Sequence, residues 1–185
     1  MNTREEINDL LELDSKYIDL IIPRGSNQLV KNIQKNSKSI PVLGHAEGIC
    51  HVYVDKDADP EIALKVVRDA KCDYPSACNA METLLIHRDL VNTKLFNSII
   101  DMFKKENVKL YFGPSLLNLA KADFPVVRNF NHEYSDLELS VEVVGNVDEA
   151  IDHINKYGSG HTESIITRNS NNIFSIFPRD FIIII

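Results

Sequence analysis

Ile49-Cys-His-Val-Tyr-Val54, then Asp59-Pro-Glu-Ile-Ala-Leu-Lys-Val-Val-Arg-Asp-Ala70, then Thr83-Leu-Leu-Ile-His87 follow one another along the chain, and their reading decides the fold. The first and last are short apolar runs rich in β-branched residues, each of strand length. The middle segment opens with Asp59, a capping residue, and Pro60 at the first helical position, where no amide is needed. Ile62, Val66 and Ala70 recur at helical spacing, joined by Ala63 and Val67, and predict its inward face. Strand, helix, strand in this order is the repeating unit of a parallel α/β sheet with right-handed crossovers.

Helix and second strand are joined by Asp73-Tyr-Pro-Ser-Ala-Cys-Asn-Ala-Met-Glu-Thr-Leu-Leu-Ile86. Pro75 stops the helix. Ser76, Ala77 and Ala80 leave space around Cys78 for another molecule to approach. A thiol on such a turn is placed for covalent chemistry. A small apolar cysteine packed in a core is the commoner use of this residue. The turn alone leaves both readings open.

Further out, the alternation continues. Towards the N-terminus, 40–43 reads as a strand and 44–48 as a tight loop. Residues 18–22 form another apolar run, closed by Pro23-Arg24-Gly25-Ser26, with Leu29, Val30 and Ile33 at helical spacing beyond it. Strand, glycine turn, serine cap and helix leave amides free at a helix N-terminus, which suits phosphate, although a plain cap explains the same residues. Thr3-Arg4-Glu5-Glu6 is a capping box for a helix carrying Ile7, Leu10 and Leu11.

Towards the C-terminus, 93–106 is a helix burying Leu95, Phe96, Ile99, Met102 and Phe103. Residues 108–112 are a strand ended by Gly113-Pro114. Leu137, Leu139, Val141 and Val143 alternate with Glu138, Ser140 and Glu142, which predicts a strand wet on one face. Asn146 and Glu149 cap a helix whose inner face is Ala150, Ile151 and Ile154, and Tyr157-Gly158 ends it. Residues 163–167 are a further strand. From Asn169 the pattern dissolves.

The composition is that of an ordinary soluble domain: 185 residues, 44% hydrophobic and 25% charged. A net charge of -7 with no basic cluster excludes a nucleic-acid partner. Three cysteines without a CxxC pair argue against a disulfide framework and for a reducing compartment. Cys50-His51, as neighbours, are a poor start for a closed metal site, and none is expected. No run reaches the length of a membrane helix, and the first residues lack the apolar core of a signal peptide. Neither membrane nor secretion is expected.

With these segments laid out, the chain resembles the γ-glutamyl phosphate reductase family, and most of all the reductase half of bifunctional Δ1-pyrroline-5-carboxylate synthases. Four ordered stretches carry the likeness: Asp19-Leu-Ile-Ile-Pro-Arg-Gly-Ser26, Gly48-Ile-Cys-His-Val-Tyr-Val-Asp55, residues 73–87 around Cys78, and Tyr157-Gly-Ser-Gly-His-Thr-Glu163. The resemblance implies an aldehyde-dehydrogenase-like α/β fold of parallel βαβ units, present as a fragment. Residues 1–41 would be the remnant of a cofactor-binding domain, 42–167 most of a thiol-bearing catalytic domain, and 168–185 a divergent tail.

It further implies NADPH-dependent reduction of glutamyl 5-phosphate to glutamate 5-semialdehyde, a step of proline biosynthesis. Cys78 would be the nucleophile, with its own amide and Asn79 holding the oxyanion. Gly25 and Ser26 would lie near the cofactor pyrophosphate, and Glu133 would hold the nicotinamide ribose. His161 and Glu163 fall in a family motif without an assigned role, and Glu47 is only loosely matched to the general base of aldehyde dehydrogenases. The parent enzyme would be a cytoplasmic or mitochondrial homo-oligomer, and the 185 residues alone are expected to reduce little. A non-catalytic relic or interaction fragment is the alternative from another class. An unrelated Cys-His hydrolase is the third reading.

Overall fold

The structure is a computed structural model that describes residues 4–13, 16–25, 27–44, 47–120 and 123–176. The chain divides into two compact units, Met1–Glu47 and Gly48–Ile185.

The first unit holds α1 (Arg4–Leu11) and α2 (Asn27–Asn36). Leu11, Val30 and Ile33 supply its buried apolar surface. Thr3, the expected capping residue of α1, lies outside the described residues. The strands expected at 18–22 and 40–43 shrink to one parallel bridge between Ile21 and Val42, closed by Ile21 N–H to Pro41 O and Leu43 N–H to Ile21 O, each 2.9 Å. Pro23 and Pro41 limit further pairing, since proline has no amide to give. Leu20 and Ile22 are consequently exposed.

The second unit is a five-stranded sheet, parallel throughout: β1 (Cys50–Val54), β2 (Met81–His87), β3 (Lys109–Phe112), β4 (Glu138–Val144) and β5 (Glu163–Ile166), in the order β3-β4-β2-β1-β5. Helices α3 (Pro60–Cys72) and α4 (Lys94–Lys105) connect β1 to β2 and β2 to β3. They cover one face over Val52, Leu84, Ile86 and Val141, with Phe103 of α4 in the same core cluster. Helix α6 (Val147–Tyr157) covers the other face over Tyr53, Leu85 and Ile165. Every residue of β1, β2 and β5 is buried, as in sheets with helices on both sides.

Asp59 caps α3 through the amides of Glu61 and Ile62, with Pro60 at its start. Thr93 caps α4 and Asn146 caps α6. Three expectations shift. The buried stripe of α3 is Ala63, Val67 and Lys71: the expected Ala63 and Val67 are in it, Val66 and Ala70 are only partly buried, and Ile62 is exposed. On α4, Ile100 is buried and Met102 only partly so. Strand β4 is buried on both faces, Ser140 and Glu142 included, because it lies inside the sheet between β3 and β2.

Two α-helices lie where no element was expected. Helix α5 (Pro114–Ala120) begins at the proline that reads as a strand ending, and Glu142 accepts the Leu116 amide at 2.9 Å. Helix α7 (Ser170–Ile176) follows Asn169, whose side chain accepts the Asn171 amide at 3.1 Å. Among the described residues, no helix is long and apolar enough to cross a membrane.

Candidate active site

The chain leaves α3 through two successive turns, Ala77 N–H to Tyr74 O at 3.0 Å and Ala80 N–H to Ala77 O at 2.9 Å. Cys78 and Asn79 stand at their junction and both are exposed. Neither backbone amide donates to an acceptor among the described residues. Met81 then enters β2 and locks the turn to the sheet. The open thiol expected at Cys78 is what this local geometry produces.

The Cys78 carbonyl faces the residues leading into β1. A side chain at Gly48 would lie inside the van der Waals distance of that oxygen, so only glycine allows the approach. The Cys50 S–H donates to the same oxygen at 3.4 Å, and His161 Nδ1 lies 3.9 Å from the Cys50 sulfur. Burial pushes the Cys50 thiol up to about 12, and the Glu163 carboxylate adds to the rise. A cavity of about 140 Å³ adjoins the turn, lined by Cys50, Asp69, Asn79, Met81, Thr162 and Ser164. Another cavity, of about 820 Å³, lies along Lys109, Tyr111, Arg128 and Tyr134, and neither Cys78 nor Asn79 lines it.

Residues 157–163 brace the entry to β1. Ser159 Oγ accepts the Ile49 amide at 2.9 Å. Glu163 Oε2 accepts from the His51 amide at 2.6 Å and pairs with His51 Nδ1 at 3.0 Å, with both side chains almost wholly buried. Burial raises Glu163 above the usual carboxylate range, against the pull of His51. His161 and Glu163 thus acquire neighbours that the sequence did not supply.

A second buried carboxylate ties the Glu133 loop to β2. Lys71 Nζ donates to Glu82 Oε2 at 2.9 Å, and the Ser135 amide donates to Glu82 Oε1 at 3.0 Å. Lys71 and Glu82 are buried. Burial pushes Glu82 up, and Lys71 offsets part of the rise. Glu133, half-buried, sits two residues before Ser135 on that loop. The structure therefore places Cys78, Asn79 and the Glu133 loop around the N-terminal end of β2.

Gly25 belongs to the first unit, at φ 150°, a backbone conformation that favours glycine. Ser26 lies outside the described residues. Glu47 pairs with Lys31. Among the described residues, no cluster of three metal-ligating side chains forms. Sequence reading missed Lys71–Glu82 and His51–Glu163. Their signal was a charged residue beside an apolar run, which periodicity alone scores as exposed.

No family model matches the chain. The Δ1-pyrroline-5-carboxylate synthase of Solanum lycopersicum is 54% identical over 179 residues, 97% of this chain and 24% of that protein. That match extends into the stretch read as a divergent tail. The crystal structure of γ-glutamyl phosphate reductase from Thermotoga maritima superposes with a TM-score of 0.88 at 34% identity, over 96% of this chain and 42% of that one.

Two further solved structures share the fold. An acetylating aldehyde dehydrogenase from Geobacillus thermoglucosidasius has a TM-score of 0.66 at 18% identity, over 97% of this chain and 48% of that one. An NADP-dependent glyceraldehyde-3-phosphate dehydrogenase from Bacillus halodurans, complexed with NADP, has 0.71 at 16%, over 95% and 46%. The sheet is thus of the aldehyde-dehydrogenase-like α/β type. Over nearly its whole length this chain resembles, in sequence and in fold, the γ-glutamyl phosphate reductases and Δ1-pyrroline-5-carboxylate synthases, and it spans less than half of each protein compared.

Proposed function

We propose that this chain carries the thiol chemistry of a glutamate-5-semialdehyde dehydrogenase, the step that reduces glutamyl 5-phosphate in proline biosynthesis. The observation that carries the reading is the exposed Cys78 on a turn whose Cys78 and Asn79 amides donate to no acceptor among the described residues, in a chain 54% identical to a pyrroline-carboxylate synthase. The Cys78 thiolate attacks the acyl carbon, a C–S bond forms, the C–O bond to phosphate breaks, and phosphate leaves with the electron pair. The thioester that remains is open to hydride in a way a carboxylate is not. The amides of Cys78 and Asn79 stabilise the oxyanion.

NADPH supplies the hydride when bound. Gly25, in its special backbone conformation, precedes the N-terminus of α2, which fits a pyrophosphate; Ser26 would contribute its hydroxyl there. Glu133 would accept from the ribose hydroxyls. We assign 1–41 to a cofactor-binding part, 42–167 to the thiol-bearing part and 168–185 to a tail, within a longer, homo-oligomeric parent in a reducing compartment.

The test is mass spectrometry of the chain after exposure to the acyl phosphate, alongside NADPH oxidation. An adduct on Cys78 with little turnover is expected of these residues alone, and no adduct would refute the nucleophile. In the longer parent, Cys78→Ala should abolish both acyl-phosphate reduction and semialdehyde oxidation, because both pass through the thioester. Glu133→Gln should weaken turnover more mildly.

A further inference from the structure

The Cys78–Asn79 peptide is held by its carbonyl. Gly48 approaches that oxygen so closely that no side chain fits, and the Cys50 S–H donates to it at 3.4 Å. A peptide is planar and, here, trans, so its N–H points opposite to its C=O. Fixing the Cys78 carbonyl towards β1 therefore aims the Asn79 amide away from β1, to the open side of the turn where Cys78 and Asn79 are exposed. That amide donates to no acceptor among the described residues. A buried, fully protonated thiol is a suitable anchor, because it gives a hydrogen without offering a competing nucleophile.

We infer that Cys50 is a positioning residue, whose thiol orients the Cys78–Asn79 peptide so that the Asn79 amide faces an oxyanion forming on an acyl group bound to Cys78. This rests on the reading of Cys78 as the nucleophile. Acyl transfer needs the oriented amide, whereas alkylation of the same sulfur needs none. The two reactions therefore separate orientation from simple access.

The experiment uses the full 185-residue chain with 4-nitrophenyl acetate and, separately, iodoacetamide. In the first reaction the Cys78 sulfur bonds to the acetyl carbon, the ester C–O bond breaks, and 4-nitrophenolate leaves with the electron pair while the thiol proton passes to buffer. Peptide mapping locates both modifications. In Cys50→Ala, acylation of Cys78 should slow about fivefold or more, the size of one hydrogen bond, while alkylation stays within about twofold. Cys50→Ser, which keeps a donor, should restore acylation. Should the alanine variant not fold, Cys50→Val gives the same comparison against Cys50→Ser. Equal acylation in the variants, slowing of both reactions alike, or failure of serine to restore would each overturn the inference. Absence of Cys78 acylation in the unaltered chain would instead overturn the nucleophile, and the inference with it.

Discussion

Cys50 and Cys78 meet at one carbonyl oxygen yet face different surroundings. The first is buried at the start of β1, its thiol pushed up to about 12; the second stands exposed on a turn. Limiting iodoacetamide should therefore label Cys78 first and Cys50 last, with half-buried Cys72 between them, as read by peptide mapping. Preferential labelling of Cys50 would contradict the site. Gly48→Ala should push the Cys78 carbonyl aside and destabilise the second unit by about 1–3 kcal/mol, the usual cost of overpacking, measured by urea unfolding. The exposure of Cys78 was legible in the sequence because its neighbours are small and a proline ends the helix before it. Gly48 and Cys50 were not, since their meaning depends on a contact that only the closed sheet creates.

At the level of elements, helix α3 shows why periodicity found Ala63 and Val67 but missed the end of their row. Its true inward row ends in Lys71, and a lysine counts as polar until Glu82 is found opposite it in β2. Cutting the pair at one end leaves a buried charge. Lys71→Ala should cost about 3–5 kcal/mol, and Lys71→Met with Glu82→Leu together should recover most of that, apart from the lost Ser135 contact. Differential scanning calorimetry of the single and double variants would check it; equal losses would show that the pair does not interact. The alternation of β4 likewise suggested a wet face, but position inside the sheet overrode the pattern. The polar residues it buries find partners: Glu142 holds the first amides of α5, and Ser140 meets the Tyr134 hydroxyl at 2.9 Å. In the second unit the parallel βαβ order was legible as far as Phe112. Proline at the start of α5 hid that helix, since the same residue also ends strands.

For the molecule as a whole, the second unit carries a histidine folded in its neutral form. Burial lowers His153 from 6.5 to about 3, with His51 and Lys156 adding to the effect, and its ring packs against Phe130 and Tyr157. Below pH 6.5 the unfolded chain takes up a proton that the folded chain refuses, so the stability His153 permits at neutral pH is lost as the pH falls towards 3. Glu82, Glu142 and Glu163, all raised by burial, act in the opposite sense: stability is lost as the pH rises through their folded values. Comparison with His153→Phe isolates the histidine. The variant should lose less stability than the unaltered chain between neutral and mildly acid pH in urea titrations, and parallel curves would refute the assignment.

The outer side of β3 is already occupied: Phe112 gives its amide to Pro125 O at 2.8 Å and receives the Val127 amide at 3.0 Å. Pro125 itself has no N–H to offer a newcomer. A second chain seeking to extend the sheet by strand addition finds the Phe112 end of that margin closed. The opposite margin is β5, so the side chains flanking 163–166 are where solubility engineering of this chain should start.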